Sequence, residues 1–126
     1  MFDRHASPSW VEVVGVRFYP QNPIPDNGSS DLEWLHFALS EMIQSYYARG
    51  KSDPRAFDVV IAVSKEQIAF ASRLAKSWVR KYPGSRFPRH IGYERLFATL
   101  EHLGRYEEAI QVAEEVKKTA WFARRH

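Results

Sequence analysis

The stretch Leu100-Glu101-His102-Leu103-Gly104-Arg105-Tyr106-Glu107-Glu108-Ala109-Ile110 lies at the centre of the clearest pattern in this 126-residue chain. Before Gly104, the apolar residues Leu96, Phe97, Leu100 and Leu103 recur three and four apart. After it, Tyr106, Ala109, Ile110, Ala113, Val116 and Ala120 take up the same spacing. Both runs have the period of an α-helix with one apolar face. A glycine directly after the last periodic residue is a common helix stop, because glycine takes left-handed backbone without steric cost. Glu107 and Glu108 fall in the first turn of the second run and Lys117 and Lys118 in its last, each on the side the helix dipole favours. The reading is a helical hairpin. Its first helix runs from about Tyr93 to Leu103, and the apolar residues of both helices point inward. The tail Trp121-Phe122-Ala123-Arg124-Arg125-His126 is expected to fray.

Upstream, the line Phe57, Val60, Ile61, Ser64, Ile68, Ala71, Ala75, Trp78, Tyr82 alternates by three and four until Pro83-Gly84 stops it. It begins at Asp53-Pro54, an N-cap followed by a proline whose missing N–H costs nothing in a first turn. The pattern fits one long helix or two helices bent near Ser64 or Ser72. Earlier still, Leu32, Leu35, Leu39, Met42, Ile43 and Tyr46 form another helical stripe. Ser30 and Glu33 are spaced as a capping box at its start, and Gly50 ends it. Residues 1–29 differ. Trp10 to Tyr19 alternates as one strand, with Trp10, Val14, Val16 and Phe18 on one face and Val11, Val13 and Tyr19 on the other. Three prolines and an Asn-Gly then make Pro20–Gly28 a connector without regular structure. The expected architecture is mainly α: antiparallel hairpins over residues 30–121, an N-terminal strand or arm with its connector over 1–29, and a basic tail at 122–126. A lone strand leaves its amides and carbonyls unpaired. The expectation is therefore a homodimer through Trp10–Tyr19, or an arm laid on the helices.

Tyr93, Gly104, Tyr106 and Ala109 together resemble the landmarks of a tetratricopeptide hairpin: an early aromatic, a turn glycine, an aromatic two residues later and a small residue three further on. Trp78 and Pro83 resemble the end of a preceding repeat. The segment from about Leu32 to Trp121 is similar to a bacterial repeat-protein group of unclear function. The resemblance implies stacked helical hairpins and a binding role rather than catalysis. Two features depart from the pattern. Phe97 is bulky where a small residue is usual, which implies splayed helices. Only one clean repeat is present where a regular solenoid needs about three. A compact bundle of hairpins, or the terminal piece of a longer chain, follows.

There is no cysteine, so no disulfide and no thiolate metal site can form. No signal-peptide pattern or membrane-length apolar run occurs, and a cytoplasmic location is expected. The charge of +3 is uneven. Residues 51–90 carry nine basic against three acidic groups, and no acidic residue occurs between Gln67 and Tyr93. Arg73, Lys76 and Arg80 line one side of their helix, opposite Ala71, Ala75, Trp78 and Tyr82, and Arg86 and Arg89 follow in the loop. These five cations are candidate partner-binding residues, and so are Trp34 and Phe37 beside the apolar stripe of the first helix, for which core packing on a second covered side is the competing and favoured reading. The function expected is a non-enzymatic protein-interaction module with a protein or peptide partner, acidic where it meets these cations. The alternative is a nucleic-acid-binding accessory domain using the 73–89 zone. His90, Glu94, Glu101 and His102 do not line up as metal ligands. His36 reads as a hydrogen-bonded, half-buried histidine. No catalytic motif and no cofactor site is legible.

Overall fold

The computed structural model describes residues 10–21 and 31–123. The expected capping serine Ser30, the turn Asn27-Gly28-Ser29, most of the connector and the basic residues Arg124 and Arg125 lie outside them. Among the described residues there are two short strands, β1 (Val11–Val13) and β2 (Val16–Phe18). Six helices follow: α1 (Asp31–Arg49), α2 (Ala56–Ala69), α3 (Ala71–Lys81), α4 (Ile91–His102), α5 (Tyr106–Lys117) and α6 (Ala120–Ala123).

The single strand expected at Trp10–Tyr19 is instead a hairpin. β1 and β2 pair antiparallel with Val13 opposite Val16 and Val11 opposite Phe18. Val14 and Gly15 both have positive φ, 47° and 78°. This is the backbone of a two-residue turn whose twist matches that of the strands it joins. The hairpin's apolar face covers α1 and α2, with Val11 and Val13 buried. β1 thus finds a strand partner within the chain, and pairing with a second copy is not needed to satisfy it.

Asp53 accepts the Arg55 amide at 3.2 Å, and Ala56 and Phe57 donate to the Asp53 and Pro54 carbonyls, so one tight turn precedes α2. The long apolar line is two helices. The break comes at Phe70, between the two serines, where the backbone turns to φ −112°, ψ 12° and the ring is buried. Gly50 ends α1 for a packing reason: a Cβ there would stand 2.3 Å from the Phe57 ring.

α1 and α2 form one hairpin and α4 and α5 another, with α4 packed against both α1 and α2. The larger core joins Leu39, Met42, Ile43, Val60, Val63 and Leu74. A smaller one, Leu96, Leu100 and Ala109, with Phe97 half-buried beside it, lies between α4 and α5. Gly104 turns between them with φ 77°. The inward positions expected for Leu103, Tyr106 and Ile110 are not found; they are 40%, 62% and 56% exposed, because only one side of α5 is covered by α4.

Candidate binding groove

Three helices meet at Gln67, which is fully buried in α2. Its amide donates to the His36 carbonyl at 2.8 Å and to Ser40 Oγ at 2.7 Å, and its Oε1 accepts the Gly92 amide at 2.6 Å. A Cβ on Gly92 would lie 2.6 Å from Gln67 Oε1 and 3.1 Å from the Ser64 carbonyl, so this contact needs a glycine. The staple fixes the N-terminus of α4 against α1 and α2. It thereby sets where Tyr93, one residue on, projects.

Beside this staple lies an aromatic cluster. Trp121, on α6, is 4% exposed and donates its indole N–H to the Ala71 carbonyl at 2.9 Å. It stacks on His36 at 5.5 Å and meets His90 and Phe87 edge-on at 4.9 and 4.8 Å. Trp121 is thus anchored, contrary to the expected fraying, since an indole of this size with its N–H satisfied gains more from burial than a short helix loses in freedom; the expectation for residues 124–126 lies outside the described residues. His90 caps α4 by accepting the Tyr93 amide on Nδ1 at 3.2 Å. Its proton therefore sits on Nε2 in the neutral form, and that atom is buried without a hydrogen-bond partner. His36 is 1% exposed, so the expected half-buried histidine is a fully buried one; neither ring nitrogen has a hydrogen bond of full geometry, and the Arg89 backbone is the polar group that acts on it. Burial pushes His36 down to about 4, opposed in part by the Arg89 backbone. His90 falls to about 3, first by burial and then by the nearby His36.

The outer side of this cluster forms an open groove of about 640 Å³. Its floor is Ile68, Ala71, Ala75, Val79, Tyr93 and Trp121. Lys76 and Arg80 stand one turn apart on the α3 wall, and Lys118 stands on the opposite wall, where α5 hands over to α6. Val79 is 39% exposed. The Tyr93 hydroxyl is raised above the usual phenol range by burial and then by Glu115.

The expected site residues divide. Lys76 and Arg80 border the groove. Arg73 and Arg86 are exposed but do not line it. Arg89 is bound to Glu94 by two hydrogen bonds, at 3.2 and 2.5 Å, which occupies its guanidinium. Lys81, from the same basic run, binds the buried Glu33 at 3.3 Å, and Tyr82 donates to the same carboxylate at 3.2 Å. Trp34 is buried in the main core and cannot present a partner surface there. Phe37 is half-buried and packs edge-on against His36. Lys118 and Trp121 were missed. The signal for Trp121 was an apolar Ala-Trp-Phe-Ala run just before the terminal basic residues, and for Lys118 only its place at the end of α5. Among the described residues no group of three or more potential ligands forms a metal site. No helix there is long and apolar enough to cross a membrane.

Comparison of the chain with protein-family models, with curated proteins and with solved structures finds no match.

Proposed function

We propose that this chain is a non-enzymatic protein-interaction module of tetratricopeptide-like construction, and that its partner docks on the face formed by α3, Tyr93 and the α5–α6 junction. The observation that carries this reading is the groove itself. Val79 is exposed and Ile68 and Tyr93 are half-buried on a floor completed by the buried Ala71, Ala75 and Trp121, and no ion pair within the described residues engages Lys76, Arg80 or Lys118. Apolar surface rimmed by charge is the usual make-up of a docking site. The hairpin of α4 and α5, with its positive-φ glycine and the buried Ala109 that lets the helices approach, supports the repeat-like construction.

Nucleic-acid binding is the second reading, and the basic zone favours it. It is weakened because Arg89 and Lys81 are already paired with Glu94 and Glu33.

Two of the three rim cations are primary amines, which makes a direct test available. Amine-reactive crosslinking of the chain to partners recovered from its source cell should join them at Lys76 and Lys118. Crosslinks confined to Lys51 and Lys65, away from the groove, would contradict the assignment of the face.

A further inference from the structure

Resting on that reading of the face, we infer that the groove takes an acidic amphipathic helix: one apolar stripe against the floor, with carboxylates on both flanks. Three features of the walls and floor specify this occupant.

The first is sign. The residues lining the groove include three cations, Lys76, Arg80 and Lys118, and no anion. Of the acidic residues nearby, Glu94 is paired with Arg89, while Glu115, three residues before Lys118 on α5, acts on Tyr93 and offsets part of the positive charge on that wall. Complementary charge fixes orientation and excludes basic partners more than it adds raw affinity, so the apolar floor must supply the rest.

The second is shape. Ala71, Ala75 and Val79 lie on α3 at intervals of four, about 12 Å of helix at 1.5 Å per residue. Small side chains along that line leave a channel between α3 and the α5–α6 junction, closed at its base by the Trp121 indole on the Ala71 carbonyl. A segment lying in it presents about two turns, enough for three apolar residues spaced three and four apart.

The third is the asymmetry of the rim. Lys76 and Arg80 are four residues apart on one wall and Lys118 stands alone on the other. A docked helix would therefore carry two carboxylates four apart on one flank and a single carboxylate on the other. A phosphate backbone, with uniform charge and no apolar stripe, would leave the floor unused.

The test is a selection from a random sixteen-residue peptide display library against the full chain, with single-stranded oligonucleotide binding measured in parallel. Enriched peptides should be net acidic, with apolar residues at helical spacing. The best of them, made synthetically, should bind at least tenfold more weakly to a K76E/R80E/K118E variant whose circular dichroism and melting match the parent. A lysine-for-glutamate version of that peptide should regain affinity for the variant. Enrichment without an acidic bias, no enrichment at all, or affinity unchanged by the triple reversal would overturn the inference. So would an oligonucleotide that binds more tightly than any peptide. Partner crosslinks at Lys76 and Lys118 without an acidic bias in the selection would leave the interaction-module reading standing and remove this one.

Discussion

His36 belongs to two buried junctions at once, and they are built differently. Its carbonyl joins the Gln67 staple, where the amide and Oε1 of one side chain satisfy groups on α1 and α4. Its ring joins the Trp121 cluster, where three imidazole nitrogens of His36 and His90 lack a hydrogen bond of full geometry and only the Arg89 backbone acts on the His36 ring. A satisfied buried polar group specifies one arrangement of helices, whereas an unsatisfied one costs about 1–3 kcal/mol. The staple therefore holds α1, α2 and α4 in place, and the cluster is the weaker junction. The groove lies on the weaker side, since Trp121 and Tyr93 form part of its floor.

Acid should separate the two junctions most strongly. Imidazoles in the unfolded chain take up protons near pH 6.5. In the fold His36 resists to about 4 and His90 to about 3. Unfolded molecules thus bind more protons throughout that window. Stability is complete above about pH 6.5 and falls by up to about 1.4 kcal/mol per pH unit for each histidine as the pH drops towards the folded values. Urea unfolding between pH 7 and 4.5 measures this, above the range where most carboxylates titrate. A flat profile would mean that the rings are hydrated or paired.

Gln67→Leu should come next, with a loss of about 3 kcal/mol in chemical denaturation, because it strands the buried Gly92 amide and removes two further bonds. Gly92→Ala should cost about 1–2 kcal/mol by forcing its methyl into Gln67 Oε1. That cost should shrink in a Gln67→Ala background, and an additive double-mutant cycle would show that the two residues do not touch. His36→Phe should have the smallest effect at pH 7, within about 1 kcal/mol of the parent. It exchanges unpaired polar atoms for apolar ones and should lessen the acid slope. A large loss on this substitution would reveal a hydrogen bond to His36.

How much of this was legible follows from what kind of interaction places each element. Periodicity gave α1, α4 and α5, and Gly104 gave the turn between the last two, because these depend on residues near in sequence. The β-hairpin was also written there. The apolar residues switch from odd positions (Val11, Val13) to even ones (Val16, Phe18) across Val14-Gly15, the signature of a two-residue turn. Read as one alternation through that switch, the segment is a single strand; it is a hairpin lying on α1 and α2, close to the alternative of an arm laid on the helices. The break at Phe70 was legible only as one of two alternatives, a bend near Ser64 or Ser72 against one long helix, and the anchoring of Trp121 was not, since each is decided by packing between elements far apart in the chain. Trp121, for example, is held by the Ala71 carbonyl, fifty residues away. Of the candidate site, charge composition indicated Lys76 and Arg80. It could not show that Arg89 is spent on Glu94, or that Lys118 stands across the groove.

A partner docked in the groove between α3 and the α5–α6 junction would perturb the residues that line it. The most direct measurement is a nuclear magnetic resonance titration of the nitrogen-15-labelled chain with the most enriched acidic peptide. Amides of Ala75, Lys76, Val79, Arg80 and Lys118, together with the Trp121 indole, should shift on binding, while those around Leu103, Tyr106 and Ile110 stay in place. Shifts centred on that exposed apolar end of α5, with the Trp121 indole unmoved, would contradict the account.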